Sequence, residues 1–135
     1  MIVALDACTI IYLIEGGPPV ADIARARLRE LLRDPAGRAV CSRLARLECR
    51  VGPLRASDVA LLGRDDTFFG RRRLRIVDVT PAVIERATGL RARYRLKTPD
   101  AIHLATAIEA HADLVLTGDA DLRRCTEVNV EVLQP

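Results

Sequence analysis

The chain has 135 residues, 50% of them hydrophobic but only 3% aromatic and none tryptophan, with a formal net charge of +3. That length suits one domain with a substantial core, and the shortage of aromatic side chains excludes an aromatic-rich β-sandwich in favour of a parallel, helix-covered sheet of Leu, Val, Ile and Ala. No apolar stretch approaches the ~20 residues that span a bilayer, and the N-terminus shows no basic segment followed by a cleavage site; a cytoplasmic protein without membrane contact is expected.

Chain order reads as alternating strands and helices. Ile2–Leu5 is a strand, followed by the apolar run from Ile10 to Ile14, with a helix beginning near Thr9. Apolar residues at Ile23, Ala24, Leu28, Leu31 and Leu32 mark a helix over Val20–Arg33 that Pro35 and Gly37 break. Ala39–Cys41 is a second strand, Arg43–Val51 a helix with Leu44, Leu47 and Val51 as its apolar stripe, and Pro53–Leu62 the start of another. Leu74–Val79 is a third strand. Helices over Pro81–Arg95 and Pro99–Ala112 each place proline near the first turn, where its missing N–H costs least. Strands at Leu114–Leu116 and Val128–Leu133 complete the chain. The pattern predicts an α/β fold of three layers, α/β/α, around a central mostly parallel sheet of about five strands. In such sheets ligands gather beyond the carboxyl ends of the strands.

That rule sorts the 18 acidic residues. Asp6 directly follows the first strand, although it could equally cap the next helix. Glu48 borders the apolar stripe of its helix, too deep to belong to a capping box with Ser42, and a carboxylate pressed toward a core needs a cation, a metal or another partner. Asp100 opens "DAIHLATAIEA", with Thr98 as a natural N-cap and the helix dipole favouring an acid in the first turn. Asp119 follows the fourth strand in "LVLTGDADL", where Gly118 permits a tight turn; Asp121 could substitute or assist, and an Asx-turn would explain either. Two acids at strand ends and two on helices near the same edge are an arrangement that one metal site explains. Clustered carboxylates repel unless a cation neutralises them, and oxygen-only ligation selects Mg²⁺ or Mn²⁺. Water made more acidic by such an ion can attack a phosphodiester in line.

Positive charge is almost all arginine, with a single lysine, which suits bidentate contact with phosphate or carboxylate. Arg43, Arg46 and Arg50 flank Glu48 on its helix, and Arg71–Arg73 form a second basic group. Phosphate contact from either would give affinity without sequence choice. Cys8, Cys41, Cys49 and Cys125 form no C-x-x-C pair and no zinc spacing, so reduced, mostly buried thiols are expected. His103 and His111 read as packed or hydrogen-bonded structural residues.

The segments "LDACTIIYLIEG", "SRLARLECRV" and "TPDAIHLATAIEAHADLVLTGDADL" together resemble the PIN-domain ribonucleases, and particularly the VapC-like toxins of toxin–antitoxin pairs. The resemblance spans nearly the whole chain; residues 53–73 carry little of it. It implies a PIN-like fold and a Mg²⁺-dependent endoribonuclease whose metal and catalytic acids match Asp6, Glu48, Asp100 and Asp119. Thr117 matches a threonine that orients the last turn. It also implies an RNA substrate, a homodimer, and a cognate antitoxin whose C-terminal segment enters the groove. Cys8 stands where the family often has Asn or Ser, a departure bearing on the site's fine geometry. A catalytically inactive PIN fold serving as an RNA- or protein-binding module is the alternative. A haloacid-dehalogenase-like phosphatase would need a second Asp at Cys8, and a receiver domain an acid pair after strand one.

Overall fold

The computed structural model describes residues 1–134. Its elements run β1 (Ile2–Leu5), α1 (Ala7–Glu15), α2 (Val20–Leu31), β2 (Arg38–Ser42), α3 (Arg43–Arg55), α4 (Val59–Phe69), β3 (Leu74–Val77), α5 (Pro81–Tyr94), α6 (Thr98–Glu109), β4 (Leu114–Thr117), a 3-10 turn over Ala120–Arg124, and β5 (Val130–Val132). The strands pair in the order β3-β2-β1-β4-β5, and every pairing is parallel. The sheet is therefore wholly rather than mostly parallel, because a helix or the 3-10 turn lies in each connection and brings the chain back to the same starting edge.

Alternation along the strands feeds two cores. Val3, Leu5, Ala39, Cys41 and Leu116 face the layer that includes α1, α3 and α4, where they meet Ile10, Ala45, Cys49, Phe68 and Phe69. Ala4, Val40 and Val115 face the other layer and meet Val83, Leu90 and Leu104 of α5 and α6. The chain winds outward from β1 through β2 to β3, then crosses back to β4. The resulting switch point lies at the carboxyl ends of β1 and β4, where an open parallel sheet leaves a crevice.

Several local expectations shift. α3 does not stop at Val51 but runs through Pro53 to Arg55. Gly52 precedes that proline and has no Cβ for the ring to strike, which relieves the usual constraint on the residue before proline. Ser57, with φ 51°, ends the helix, Asp58 N–H donating to the Pro53 carbonyl, and the Asp58 side chain then caps α4 by accepting from Leu61 N. The last strand is only Val130–Val132.

The largest correction concerns α3. Its buried residues are Ala45, Cys49 and Pro53, whereas Leu47 and Val51 of the expected core stripe are 58% and 37% exposed, Leu44 is only partly buried, and Leu54 beyond them is 59% exposed. Small side chains let the helix sit close to α1, with Cys49 Sγ 4.0 Å from the Ala7 carbonyl, and this turns the large apolar side chains outward. His111 is not packed either: it is exposed and takes the left-handed conformation (φ 57°) past the end of α6. There Ala112 N–H reaches the Ala107 carbonyl and His111 N–H that of Ile108, closing a Schellman motif.

Candidate active site at the carboxyl edge of the sheet

Asp6, 4% exposed, is the residue immediately beyond β1. Its carboxylate does two jobs. Oδ1 accepts from Thr9 N at 2.9 Å, capping α1, and Oδ2 accepts from the Thr117 hydroxyl at the end of β4. The cap is therefore real, and it fixes the carboxylate at the switch point. The Thr117 oxygen in turn accepts from Asp119 N at 3.0 Å, so one fully buried hydroxyl ties the first acid to the fourth. Thr9 Oγ1 donates to the Leu116 carbonyl at 2.8 Å and stitches α1 to the same strand.

Asp119 also accepts from Asp121 N at 2.8 Å, the expected Asx-turn. Between Thr117 and Asp119, glycine is required for room. A Cβ on Gly118 would lie 2.5 Å from Tyr12 Cε2, 2.8 Å from the Tyr12 hydroxyl and 3.0 Å from Cys8 Sγ. No glycine among the described residues has positive φ, so close approach, not a left-handed turn, explains Gly118.

Asp100 lies in the first turn of α6. The helix begins one residue earlier than expected: Lys97 is the N-cap, Thr98 is already helical, and neither supplies a side-chain cap. The Asp100 carboxyl is pushed above the ordinary carboxylate range, first by burial and next by the charge of Asp119, with Asp6 adding to it and His103 and Lys97 opposing. The charges of Asp119 and Asp6 thus both reach Asp100, and Thr117 joins those two acids at the same edge. Among the described residues, none of the three is ion-paired to an arginine or lysine.

Glu48 is held differently. Its Oε1 lies 2.7 Å from His103 Nε2, one helical turn beyond Asp100. Asp121 is exposed and turns toward Arg124 at 3.4 Å, which leaves Asp119 as the acid engaged with the rest of the site.

Cys8 and Tyr12 both pack against Gly118. Burial, more than anything else, raises the Cys8 pKa, and the charges of Asp6 and Asp119 add to this, so the thiol stays neutral. The nearness of Cys8 pushes Tyr12 up to about 12. All four cysteines are free, as expected.

The basic groups are mostly committed elsewhere. Arg50 and Arg46 lie 2.7 and 3.8 Å from Asp66, Arg46 also sits over the Phe69 ring, and Arg43 pairs with Asp78 at 3.0 Å. Arg73 precedes β3 at the opposite, amino edge of the sheet and donates to the carbonyls of Leu32, Asp34 and Gly37; it is a structural clamp.

Whether these residues suit a divalent ion can be read from the donors. Three carboxylates without an ion-paired arginine or lysine offer hard oxygen ligands and a negative field that His103 and Lys97 only partly offset. Among the described residues, however, no group of three or more His, Cys, Asp or Glu side chains is placed to hold a metal ion together. That combination suits a hydrated ion such as Mg²⁺, which keeps several waters and takes only one or two protein carboxylates directly.

The model of the PIN domain matches residues 3–128. The chain belongs to the PIN-domain family. Solved structures with this PIN fold include VapBC2 from Rickettsia felis bound to a promoter DNA fragment, at 19% identity and TM-score 0.82 over 99% of this chain and 100% of that one. A toxin–antitoxin complex from Klebsiella pneumoniae is 24% identical, with TM-score 0.69 over 93% of this chain and 94% of that one. VapC20 of Mycobacterium tuberculosis, a sarcin–ricin-loop-cleaving toxin, is 16% identical, with TM-score 0.71 over 94% of this chain and 98% of that one. No curated protein matches the chain in sequence. No helix among the described residues is long and apolar enough to cross a membrane.

Sequence reasoning brought Asp6, Asp100, Asp119 and Thr117 to one place. It missed Tyr12, whose contact with Gly118 depends on packing, and it named His103 without naming Glu48 as its partner. Glu48 and His103 are 55 positions apart, and only the i, i+3 spacing of Asp100 and His103 hinted at a shared face.

Proposed function

We propose that this PIN domain is a divalent-metal-dependent endoribonuclease acting as the toxin of a toxin–antitoxin pair in the cytoplasm. The observation that carries the reading is the group of Asp6, Asp100 and Asp119, lying at the switch point of a parallel sheet without a basic partner in a chain of net charge +3. Asp6, Asp100 and Asp119 would hold Mg²⁺ or Mn²⁺, with Glu48 beside them. When bound, the ion supplies a more acidic water and offsets negative charge on the phosphate oxygens.

The chain's own residues do the positioning. Thr9 and Thr117 fix both oxygens of Asp6, Thr117 links Asp6 to Asp119, and the neutral Cys8–Tyr12 pair braces the turn at Gly118. Among the arginines, we assign RNA backbone contact first to Arg43, which begins α3 directly after the carboxyl end of β2. Its pair with Asp78 is exposed, and such pairs open at a cost of about 1 kcal/mol or less. Arg46 and Arg50 would contribute by holding α4 in place.

An antitoxin partner is part of the same reading. The Klebsiella pneumoniae structure is a toxin–antitoxin complex, and Leu47, Val51, Leu54 and Val59 (79% exposed) present an apolar face that an amphipathic partner segment could cover. We also propose a homodimer, which the molar mass in solution tests.

The test is incubation of the purified chain with total RNA in Mg²⁺ or in chelator. Mg²⁺-dependent fragments that disappear in Asp6→Asn and Asp100→Asn are expected. Metal binding with no cleavage of any RNA would instead favour the inactive binding module.

A further inference from the structure

We infer that His103 is a positioning residue that holds Glu48 in the site, an inference that rests on the nuclease reading above. α3 and α6 lie in different layers: Ala45 and Cys49 of α3 pack into one core, Ala101 and Leu104 of α6 into the other. The 2.7 Å contact between His103 Nε2 and Glu48 Oε1 bridges those layers.

A carboxylate only accepts, so Nε2 must carry the proton and donate. His103 is buried and its Nδ1 has no partner among the described residues. An apolar side chain would fill the same space without leaving any polar atom unsatisfied, so packing alone does not call for histidine here.

What histidine adds is a donor aimed at Glu48. Only Oε1 is engaged, and Oε2 makes no hydrogen bond among the described residues. One oxygen is thus anchored to a residue one helical turn from Asp100, while the other stays without a hydrogen bond. A glutamate with three rotatable bonds on a half-exposed helix position would otherwise sample many rotamers. Fixing a ligating carboxylate through a hydrogen bond to its outer oxygen is the part that outer-shell partners play around metal ions.

The experiment measures Mn²⁺ binding to the full chain by electron paramagnetic resonance of the free ion, in wild type, Glu48→Gln, His103→Leu, His103→Asn, His103→Gln and the Glu48→Gln/His103→Leu double variant. His103→Leu and His103→Asn are expected to weaken binding roughly 10-fold or more. His103→Gln, whose amide N–H reaches the position of Nε2, recovers most of it, and the double variant binds no more weakly than Glu48→Gln. In the metal-free chain, a slowly exchanging His103 ring N–H resonance is present in wild type and lost in Glu48→Ala, which removes the acceptor. Wild-type binding in His103→Leu or His103→Asn alongside weakened Glu48→Gln overturns the role of His103 alone. Equal losses in His103→Gln and His103→Asn also overturn it, since they point to packing. Unchanged binding in Glu48→Gln removes Glu48 from the site and overturns both this inference and that part of the nuclease reading.

Discussion

Two groups of acids in this molecule are built in opposite ways. On α4, Asp66 has Arg50 at 2.7 Å and Arg46 at 3.8 Å, and the pairs fasten α3 to α4. At the carboxyl edge, the charges of Asp6 and Asp119 both act on Asp100, and no guanidinium pairs with any of the three among the described residues. Cations are not scarce: 21 Lys and Arg face 18 Asp and Glu. Leaving three carboxylates unneutralised costs stability in the metal-free fold, and such a cost is borne where chemistry needs the charge. Asp66, which fastens two helices, is paired; Asp6, Asp100 and Asp119, to which we assign the cation, are not.

Substitution should separate the two groups most sharply in cleavage. Asp6→Asn keeps an N-cap, since asparagine caps as well as aspartate. It should nonetheless cost ~10²-fold or more in RNA cleavage, because metal-ion stabilisation is worth several kcal/mol and each 1.36 kcal/mol is tenfold. Asp66→Asn should leave cleavage within about twofold of wild type; a loss as large as that of Asp6→Asn would erase the distinction.

Next in size is the turn joining the unpaired acids. Gly118→Ala drives a methyl into Tyr12 and should cost about 1–3 kcal/mol, as overpacking does. The cost should be smaller in a Tyr12→Ala background, and chemical denaturation of the four proteins measures the coupling. Equal costs in both backgrounds would locate the strain elsewhere.

Asp66→Asn itself should lower stability by no more than about 1 kcal/mol, because its pairs are solvent-exposed. Subtlest is the pH dependence. A carboxyl raised in the folded state binds more protons folded than unfolded, so its contribution is complete below the unfolded value and is lost as pH rises through the folded one. Metal-free melting temperatures should therefore fall more steeply above the ordinary Asp value of 3.8 in wild type than in Asp100→Asn. Buried Asp65, whose carboxyl burial also raises, contributes with the same sign and is common to both proteins. Mg²⁺ should flatten the wild-type slope; an identical slope in Asp100→Asn would contradict the burial of that acid.

Fold class was legible because β1, β2 and β4 are short runs of Val, Leu, Ala and Cys, buried on both faces, separated by helical periods. Asp6 and Asp119 were legible because a residue just past a strand of such a sheet has only one place to go. α3 misled: periodicity identifies an apolar face but does not say what covers it. Ala45 and Cys49 won the core because small side chains allow close helix approach, and Leu47 and Leu54 were left outside.

The amino-acid sequence by itself therefore determined the strands, most of the helices and the acids at strand ends, since these follow from local periodicity and chain direction. Tertiary structure alone decided that Glu48 meets His103, that Gly118 must admit Tyr12, and that Arg46 and Arg50 serve α4. Those are contacts between residues 16 to 106 positions apart, and at that separation which side chains meet is set by how layers pack, a property that no local pattern carries.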